Sequence, residues 1–299
     1  MKLSYFDEVP NFGDALNPLL APKLFGDVFS QSCSDRLLFI GTTIGRKAPA
    51  GCREIIVGAG AGYQKGSYSL DRRKVFCVRG PATCDILGID RDHAAIDPAI
   101  LVNRFFPAER SPAIFMPHHQ SHAMAERVLR DACAGAGLQY VSPLDPAEKI
   151  VKKIGGADRV VTEALHGAVV AESFGVPWIP VVFGSKILIG KWDDFCASIG
   201  VEYQPAEINT NIAFDGSPRI SDRIKYAAYR VGLGKPKYKY LPIRRVSKSA
   251  LSALEDDLRR LATRDSSIAH SNKQVKSVSL DRLDRAVESF KNWRVSRHS

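Results

Sequence analysis

The chain has 299 residues, which is more than one compact domain usually needs and favours two domains. Hydrophobic residues make up 45% of the chain and charged residues 25%, values that exclude a disordered, collagen-like or small disulfide-stabilised protein. The net charge of +10 is concentrated after residue 218, where 20 Lys and Arg stand against 8 Asp and Glu, so the preceding part is slightly acidic.

The first 109 residues contain short apolar runs, each followed by Gly, Pro or small polar residues and then by a helical pattern. These runs are KLSYF, RLLFIG, EIIVGAG, KVFCVRG and AAIDPAIL. A repeated order of strand, loop and helix predicts a parallel α/β layer. The charged, Pro-containing passage NRFFPAERSP interrupts this order, so we place a domain boundary near residue 110.

The same order of runs returns in residues 110–218, which we predict to form a second α/β domain. Its strands are expected at AIFMPHH, QYVSPL, RVVTEALHG and WIPVVFG. The helix EALHGAVVAESFG should end at Gly175, because Pro177 stands just behind it. The predicted fold class is therefore α/β, with two Rossmann-like, doubly wound domains, 1–109 and 110–218.

In residues 219–299 the sequence pattern changes to that of amphipathic helices rich in Lys and Arg. We predict a basic helical C-terminal extension. Its charge suits a phosphate-rich partner, either nucleic acid or the anionic cytoplasmic face of a membrane. Solvated basic helices are the simpler alternative.

The cysteines and the N-terminus indicate the compartment. The 6 Cys include no C-x-x-C pair and several stand in apolar surroundings, which predicts buried, reduced thiols. The start MKLSYFDEVPNFGD reaches acidic residues and Pro10 before any apolar core of signal-peptide length, and no later run approaches the length of a membrane span. We therefore expect a cytoplasmic protein.

In open parallel sheets, ligands bind beyond the carboxyl ends of the strands, where loops lead into helix N-termini. Polar or small residues expected at these ends form the candidate site. They are Asn11, Gly13, Asp14, Thr42, Thr43, the GAGAG run at 58–62 with Gly60, Arg79, Asp97, His118, His119, Asp145 and His166.

Several of these positions also allow a structural interpretation. Asp14 can cap the following helix or bind a hydroxyl group. Arg79 can place its forked N–H groups on a carboxylate or phosphate, or it can form an internal ion pair. The glycines of GAGAG, residues 58–62, allow a close approach to a ligand, but they lack the dinucleotide spacing G-x-G-x-x-G and fit a tight turn equally well.

Two histidine patterns need separate treatment. The run MPHHQSH suggests metal ligands, but neighbouring strand residues point to opposite faces, so His118 and His119 do not readily share one ion and we expect no metal. A lone histidine in an apolar helix is usually a core residue. His166, however, follows a strand by a short polar turn and precedes Gly167, which places it in the first turn of a helix where a ligand can approach. Both interpretations of His166 remain open at this point.

Taken in order, seven segments resemble the polysaccharide pyruvyl transferase family over roughly the first two thirds of the chain. They are NFGDALNP, GTTIG, GAG, VRGPAT, DPAIL, MPHH and ADRVVTEALHGAVVAESFGVPW. DALNP and TEALHGAVVAESFGVPW are especially similar to the branch that makes pyruvate ketals on rhizobial exopolysaccharides such as succinoglycan. The resemblance implies a fold like that of GT-B glycosyltransferases, with two domains facing a cleft. It also implies a transferase that moves the pyruvyl group of phosphoenolpyruvate onto a hexose of an exopolysaccharide repeat unit.

The resemblance implies roles for particular residues. His166, in the LHG motif, should act as a general acid beside phosphoenolpyruvate, and Arg79, in the RGP turn, should hold the charge of this donor. Many members carry Arg directly before LHG, whereas this chain has Ala164, so another cation must complete the donor site. The candidates are His118, His119, Lys186 and Lys191.

Ketal formation then requires a proton on the methylene carbon of the donor, attack of a sugar hydroxyl at C2 and departure of phosphate. Asp14, Asp97 or Glu163 is expected to accept the hydroxyl proton. The remaining candidates, Asn11, Gly13, Thr43 and Gly60, are expected to contact substrate. No metal or cofactor is expected, since phosphoenolpyruvate is itself the donor. The expected acceptor is a lipid-linked oligosaccharide or polysaccharide, which would bring the protein to the inner face of the cytoplasmic membrane.

Two other functional classes remain open. Two α/β layers around a cleft also suit a nucleotide-sugar glycosyltransferase, although no acidic pair for a ribose stands out in the chain. Ala164 could instead mark a non-catalytic scaffold that binds phosphorylated sugar or lipid. Phosphate release from phosphoenolpyruvate separates this scaffold from the enzyme. Nucleic acid is not an expected partner, because nothing in the chain resembles a base-reading module.

Overall fold

The structure is a computed structural model that describes eight stretches of the chain. These are residues 1–29, 35–46, 51–62, 68–183, 188–208, 220–233, 246–263 and 269–296. Two parallel β-sheets with helices packed around them confirm the predicted α/β class. Lys186, one of the candidate cations, and Cys33 lie outside the described residues.

The first sheet lies within residues 1–109 and contains four parallel strands in sequential order. They are β1 (Lys2–Leu3), β2 (Asp35–Leu38), β3 (Arg53–Val57) and β4 (Arg73–Cys77). Helix α1 (Phe12–Phe25) follows β1, and α2 (Pro81–Leu87) follows β4. A parallel bridge from Val78 to Ala94 continues the sheet beyond β4.

The strand order of this first sheet differs from the prediction. Each strand pairs with its neighbour in sequence, so the described strands extend the sheet in one direction without the reversal that defines a doubly wound sheet. A repeated strand pattern does not specify strand order, because several orders bury the same apolar residues. The prediction of a doubly wound first domain is therefore wrong for this sheet.

The second sheet lies within residues 110–218 and has the strand order β6-β5-β7-β8-β9, all parallel. Its strands are β5 (Ile114–Met116), β6 (Gln139–Tyr140), β7 (Val160–Thr162), β8 (Trp178–Val182) and β9 (Ala206–Glu207). The connecting helices are α3 (His119–Ala136), α4 (Ala147–Gly155), α5 (Leu165–Phe174) and α6 (Ile189–Ser198). The order reverses at β5, which confirms a doubly wound sheet here and makes the space beyond β5 and β7 its topological switch point.

A continuous apolar core contains buried side chains of both sheets and their helices. Phe12 and Leu16 of α1, Val160 of β7 and Trp178 of β8 all belong to it. Helix α5 ends at Gly175, as predicted, with φ 70° and a hydrogen bond from the Val176 N–H to the Ala171 carbonyl. The arrangement of two domains around a GT-B-like cleft stays a prediction.

The C-terminal helices are α7 (Ile220–Arg230), α8 (Lys248–Thr263) and α9 (Lys273–Val295). Leu254 and Leu258 of α8 pack into the core of the second sheet. Leu283 and Phe290 of α9 join the core that contains both sheets. Helices α8 and α9 are therefore part of the fold rather than a basic extension of it. No helix in the described ranges is both long and apolar enough to cross a membrane.

The cysteines divide into two groups. Cys77, Cys84, Cys133 and Cys196 are buried and free, as predicted. Cys52 forms a disulfide bond, so the prediction of reduced thiols is wrong at this position. A disulfide requires only that two cysteines meet in the fold, and the absence of C-x-x-C spacing does not exclude it.

Candidate functional site

The two halves of the chain meet where Gly13 of α1 lies against His166 of α5. A Cβ atom built on Gly13 would fall 2.1 Å from Nδ1 of His166, so any side chain at position 13 would overlap the imidazole. Gly13 is therefore required by the close approach of the histidine rather than by backbone conformation. This contact joins the carboxyl end of the first strand to the first turn after β7.

His166 faces Asp97, which follows the strand-like extension of the first sheet. The Oδ2 atom of Asp97 is 3.5 Å from Nε2 of His166, and Oδ1 accepts the Ala99 N–H at 3.1 Å. Among the described residues, neither Oδ2 of Asp97 nor Nε2 of His166 has a hydrogen-bond partner of good geometry. Burial raises the pKa of Asp97, but His166 and Arg79 outweigh this effect and lower the pKa overall. Asp97 thus stays ionised beside the imidazole of His166.

Asn11 and Asp14 share the N-terminus of α1. Asn11 caps the helix, since its Oδ1 accepts the Gly13 N–H at 3.1 Å, and its amide donates to Asp14 Oδ2. The capping role considered for Asp14 therefore belongs to Asn11. Burial raises the pKa of Asp14, although the charge of His166 and the hydrogen bond from Asn11 oppose the shift. Asp14 accordingly holds a proton more readily than an exposed aspartate does.

Arg79 is completely buried at the carboxyl end of β4. Its Nε donates to Asp194 Oδ2 at 3.0 Å and its Nη1 donates to Thr42 Oγ1 at 2.8 Å, whereas Nη2 has no hydrogen-bond partner among the described residues. The internal ion pair of Arg79 is therefore confirmed, and contact with a phosphate or carboxylate of a ligand stays a prediction. A buried donor without an acceptor is costly, which marks Nη2 as a position for an anionic group.

The GTTIG and GAGAG loops form the wall beside Arg79. Gly60 hydrogen-bonds through its N–H to the Gly41 carbonyl at 2.9 Å, and a Cβ on Gly60 would fall 2.4 Å from Cζ of Arg79. Gly58 has φ 88°, which requires glycine at the tight turn. The Oγ1 atom of Thr43 is buried without a hydrogen-bond partner in the described part of the chain. The GAGAG run therefore forms a tight turn and packs closely on Arg79, and its contact with a ligand stays a prediction.

At the switch point of the second sheet, Glu163 joins three strand ends. Its carboxylate accepts the His118 N–H at 3.0 Å and the Phe183 N–H at 3.2 Å, and the side chain is completely buried. Both oxygens therefore bind the backbone, which favours a structural role for Glu163. The structure places it at the site, but its function as a proton acceptor stays a prediction.

His118 caps α3, and its ring lies 4.1 Å from the ring of His119. Burial, together with Lys191 and His119, lowers the pKa of His118 to about 2. His118 is therefore neutral at physiological pH and is the wrong choice for the missing cation. Because an imidazole in this state is a weak base, His118 can contribute hydrogen bonds or contacts but no fixed positive charge.

Lys191 is the candidate cation that the structure brings to the site. It is buried on α6, and burial and the nearby Arg79 lower its pKa to about 8, although Asp14 and Glu163 oppose the shift. Lys191 is therefore mostly charged at neutral pH and interacts with groups from both halves of the chain. Its proximity to Arg79 gives the site two positive charges.

The other histidine of the MPHHQSH run serves a different purpose. The Nδ1 of His122 and the hydroxyl of Tyr140 are hydrogen-bonded at 2.8 Å, so this nitrogen has a partner within the fold. The described residues contain no group of three or more His, Cys, Asp or Glu that could hold a metal ion.

Gly167 and Asp194 have roles in the structure that differ from what the sequence predicts. A Cβ on Gly167 would fall 2.4 Å from Oγ1 of Thr162, so this glycine allows helix α5 to pack on β7 and does not open a path for a ligand. Asp194 was not a candidate, yet it holds Arg79 in place. The signal for it lies in α6, where Lys191, Asp194 and Ser198 occupy the buried face of a helix that should otherwise be apolar there.

The fold and the site together define an α/β protein with a buried site that contains two cationic side chains, several carboxyl groups and an imidazole–carboxylate pair. Such a site can hold a small multivalent anion and deliver a proton to it.

A family model described as polysaccharide pyruvyl transferase matches residues 16–184, and the chain belongs to this family. This confirms the resemblance seen in the sequence.

The chain is also 32% identical over 208 residues to the succinoglycan biosynthesis protein ExoV of Rhizobium meliloti (strain 1021), an alignment that covers 66% of this chain and 64% of the relative. It is 25% identical over 218 residues to the uncharacterized protein L143 of Acanthamoeba polyphaga mimivirus, covering 67% of this chain and 75% of that protein. The chain thus spans less than two thirds of the length of the succinoglycan relative. No solved structure matches the chain.

Proposed function

We propose that this protein transfers the pyruvyl group of phosphoenolpyruvate to a hexose of an exopolysaccharide repeat unit and forms a pyruvate ketal. Membership of the polysaccharide pyruvyl transferase family and similarity to a succinoglycan biosynthesis protein support the class of reaction. The observation that carries the choice of donor is a group of buried polar atoms without hydrogen-bond partners in the described part of the chain. They are Nη2 of Arg79 and Oγ1 of Thr43.

Phosphoenolpyruvate carries a phosphate and a carboxylate, so it needs fixed positive charges and N–H donors. Arg79 and Lys191 supply two cations, and the first turn of α5 supplies a helix N-terminus whose cap residue, Ala164, offers no side-chain hydrogen bond. Because these groups are buried and held by the fold, they stabilise negative charge more strongly than solvated groups do. Lys191 takes the place of the arginine that many family members carry at position 164.

His166 is the proposed proton donor. Protonation of the methylene carbon (C3) of phosphoenolpyruvate forms a C–H bond and leaves C2 electrophilic. Asp97, ionised and 3.5 Å from Nε2, stabilises the imidazolium before transfer and orients the ring. Gly13 allows the ring to remain in this position.

Asp14 is the proposed proton acceptor, because its raised pKa and its position near His166 suit a group that gains and loses a proton during the reaction. The first sugar hydroxyl forms a bond to C2 as it loses its proton to Asp14. A second hydroxyl of the same sugar then attacks C2, and the C2–O bond to phosphate breaks. The proton of the second hydroxyl leaves with phosphate, and Asp14 returns its proton to His166, which replaces the one now in the methyl group. The products are the ketal and inorganic phosphate, and both residues regain their starting protonation states.

The proposed acceptor is a lipid-linked oligosaccharide, and we propose a peripheral membrane contact through α7. Ile220 and Ile224 of α7 are 77% and 63% exposed and stand one turn apart, and Val231, just after the helix, is 70% exposed; Arg223 and Lys225 of α7 are also exposed. Helices α8 and α9 do not suit this role, since their apolar faces pack on the sheets.

The membrane contact is tested with liposomes that contain anionic lipid, at low salt. Ile224→Glu should reduce co-sedimentation of the protein, whereas Val295→Glu, at an equally exposed valine at the end of α9, should not. Equal binding of wild type and Ile224→Glu would exclude α7 as the contact.

The reaction is tested by incubating the protein with phosphoenolpyruvate and a membrane extract that contains lipid-linked oligosaccharides. Phosphate release and a pyruvyl mass increment on the sugar should occur together in the wild type and disappear in His166→Ala. His270→Ala, at an exposed histidine outside the site, is the matched control and should retain both. Consumption of nucleotide sugars instead would support a glycosyltransferase. Binding of phosphoenolpyruvate without reaction, in an extract that supports a known pyruvyltransferase, would support a scaffold.

A further inference from the structure

Asp194 connects α6 to the donor side of the site through three hydrogen bonds. Its Oδ2 accepts Nε of Arg79 at 3.0 Å and Oγ1 of Thr83 at 2.6 Å, and its Oδ1 accepts the Thr83 backbone N–H at 3.0 Å. The Asp194 side chain is only 1% exposed, as is that of Arg79. Both oxygens are therefore used within the protein, and the carboxylate is held in one orientation.

The turn between Arg79 and α2 is shaped to receive this carboxylate. Gly80 occupies the N-cap position of α2, offers no side-chain cap, and is followed by Pro81. A Cβ on Gly80 would fall 2.3 Å from the carbonyl oxygen of Asp194, so glycine is needed for α6 to approach. The first N–H groups of a helix have no acceptor within the helix, and Gly80 has no side chain to provide one. Asp194 of α6 therefore accepts the Thr83 N–H. The RGP turn and α6 thus fit together around one carboxylate.

These contacts decide which guanidinium nitrogen stays available. Nε donates to Asp194 and Nη1 donates to Thr42, and Gly60 lies close to Cζ, Nη1 and Nη2 of the guanidinium. Only Nη2 is left without a hydrogen-bond partner among the described residues. Because a guanidinium fork is rigid, fixing two of its nitrogens fixes the direction of the third.

We propose that Asp194 is a positioning residue that aims the Nη2 atom of Arg79 at the anionic group of the donor. This inference rests on the proposed function, since it assumes that the anion bound there is phosphoenolpyruvate. Asp194 acts through Arg79 and does not itself contact the donor. Helix α6 carries Lys191 one turn before Asp194. The helix that places the cation Lys191 at the site therefore also holds the cation Arg79 in position.

Asp194→Asn separates this role from a simple effect of charge. If the asparagine oxygen keeps the Thr83 N–H, its NH₂ group faces Nε–H of Arg79, which can only donate, so the guanidinium must shift. The Thr83 hydroxyl can rotate and accept from the NH₂ group. We expect the affinity for phosphoenolpyruvate and for inorganic phosphate to fall about ten- to a hundredfold, the range for one charge-assisted hydrogen bond. If Asp194 merely opposed the anion through its negative charge, the same substitution would instead tighten binding.

The experiment measures binding of phosphoenolpyruvate and of inorganic phosphate by calorimetry to the full chain. Asp193→Asn, at the exposed neighbour of Asp194 on α6, makes the same change in net charge and should leave both affinities unchanged. In a double-mutant cycle, Asp194→Asn should cause no further loss when added to Arg79→Met, because it acts through the guanidinium. In turnover, the KM for phosphoenolpyruvate should rise more than kcat falls.

Two results would overturn the inference. One is an affinity of Asp194→Asn for the anions that equals or exceeds that of the wild type. The other is a loss of affinity in the double variant that equals the sum of the losses in Asp194→Asn and Arg79→Met. If wild type binds neither probe, the inference and the proposed function both fail. If wild type binds both probes and the cycle is non-additive but no pyruvyl transfer occurs, only the proposed reaction fails.

If Asp194→Asn does not fold, Thr83→Val replaces it, since this variant keeps the carboxylate and removes one of its donors. A several-fold loss of phosphate affinity in Thr83→Val, with no such loss when Thr83→Val is added to Arg79→Met, supports the inference. An unchanged affinity in Thr83→Val contradicts it.

Discussion

Replacing Gly13 by alanine should separate catalysis from stability at the centre of the site. The added Cβ would lie 2.1 Å from Nδ1 of His166 and 2.7 Å from Cε1, well inside van der Waals contact. The imidazole must therefore move by more than about 1 Å, away from its position beside Asp97. A displacement of this size in a catalytic group costs about a hundredfold in rate.

Stability should respond in the opposite direction. Gly13 is the second residue of α1, where alanine is favoured over glycine by up to about 1 kcal/mol, and the group that must move is the end of a side chain. We expect the melting temperature of Gly13→Ala to be unchanged or slightly raised, while kcat/KM for pyruvyl transfer falls about a hundredfold. Differential scanning fluorimetry and the coupled assay of phosphate release measure the two quantities.

Gly190→Ala is the matched control, since Gly190 is the second residue of α6 and a Cβ there would meet nothing within 4 Å. It should be as stable and as active as the wild type. Wild-type activity in Gly13→Ala would refute the argument, because it would show that the position of His166 beside Gly13 is not the catalytic one. A large loss of stability would refute the claim that the imidazole can yield.

Three further outcomes are expected. Arg79→Lys should raise the KM for phosphoenolpyruvate at least about tenfold, because an ammonium cannot reproduce the forked contacts; an unchanged KM would exclude Arg79 from the donor site. Lys191 has a pKa of about 8 in the free protein, so it is charged below and neutral above that pH, and kcat/KM for the donor should fall as the pH rises through 8. Lys191→Met should lose this pH dependence. Phe290→Ala, at a completely buried ring of α9, should lower the free energy of unfolding by about 3–5 kcal/mol in chemical denaturation, whereas Val295→Ala, at an exposed residue of the same helix, should change it little.

Much of the site could be predicted from the sequence because parallel strands deliver their carboxyl ends to one edge. Arg79 follows β4, Asp97 follows the strand-like extension and His118 follows β5, each at the end where a ligand site forms in this fold class. The order strand, loop, helix was therefore enough to choose these residues. The predicted end of α5 at Gly175 was equally accessible, because its signal is local.

The contacts between the halves could not be predicted in the same way. Gly13 with His166, and Arg79 with Asp194, join residues that are far apart in sequence, and no pattern within one element states which other element will pack on it. The order of strands in the first sheet failed for the same reason. Local periodicity indicates which face of an element is buried, but the partner of that face is decided by tertiary packing.

The C-terminal helix shows a different kind of error. Its basic composition suggested an extension, but Leu283, Ala286, Val287 and Phe290 have the spacing of one apolar helical face, and all four are buried. Salt bridges from Arg104 to Asp284 and from Lys276 to Glu172 fasten the helix to both halves of the chain. The spacing was visible in the sequence, and net charge was the weaker guide.

The central claim is that a proton is added to the methylene carbon of phosphoenolpyruvate as its pyruvyl group is transferred. The most direct measurement runs the reaction in D₂O with the lipid-linked oligosaccharide extract and examines the pyruvylated sugar by mass spectrometry and NMR. The account predicts a ketal whose methyl group carries one deuterium, formed together with one phosphate, in the wild type and in His270→Ala but not in His166→Ala. A pyruvylated product without deuterium in its methyl group, or an undiminished rate in His166→Ala, would contradict it.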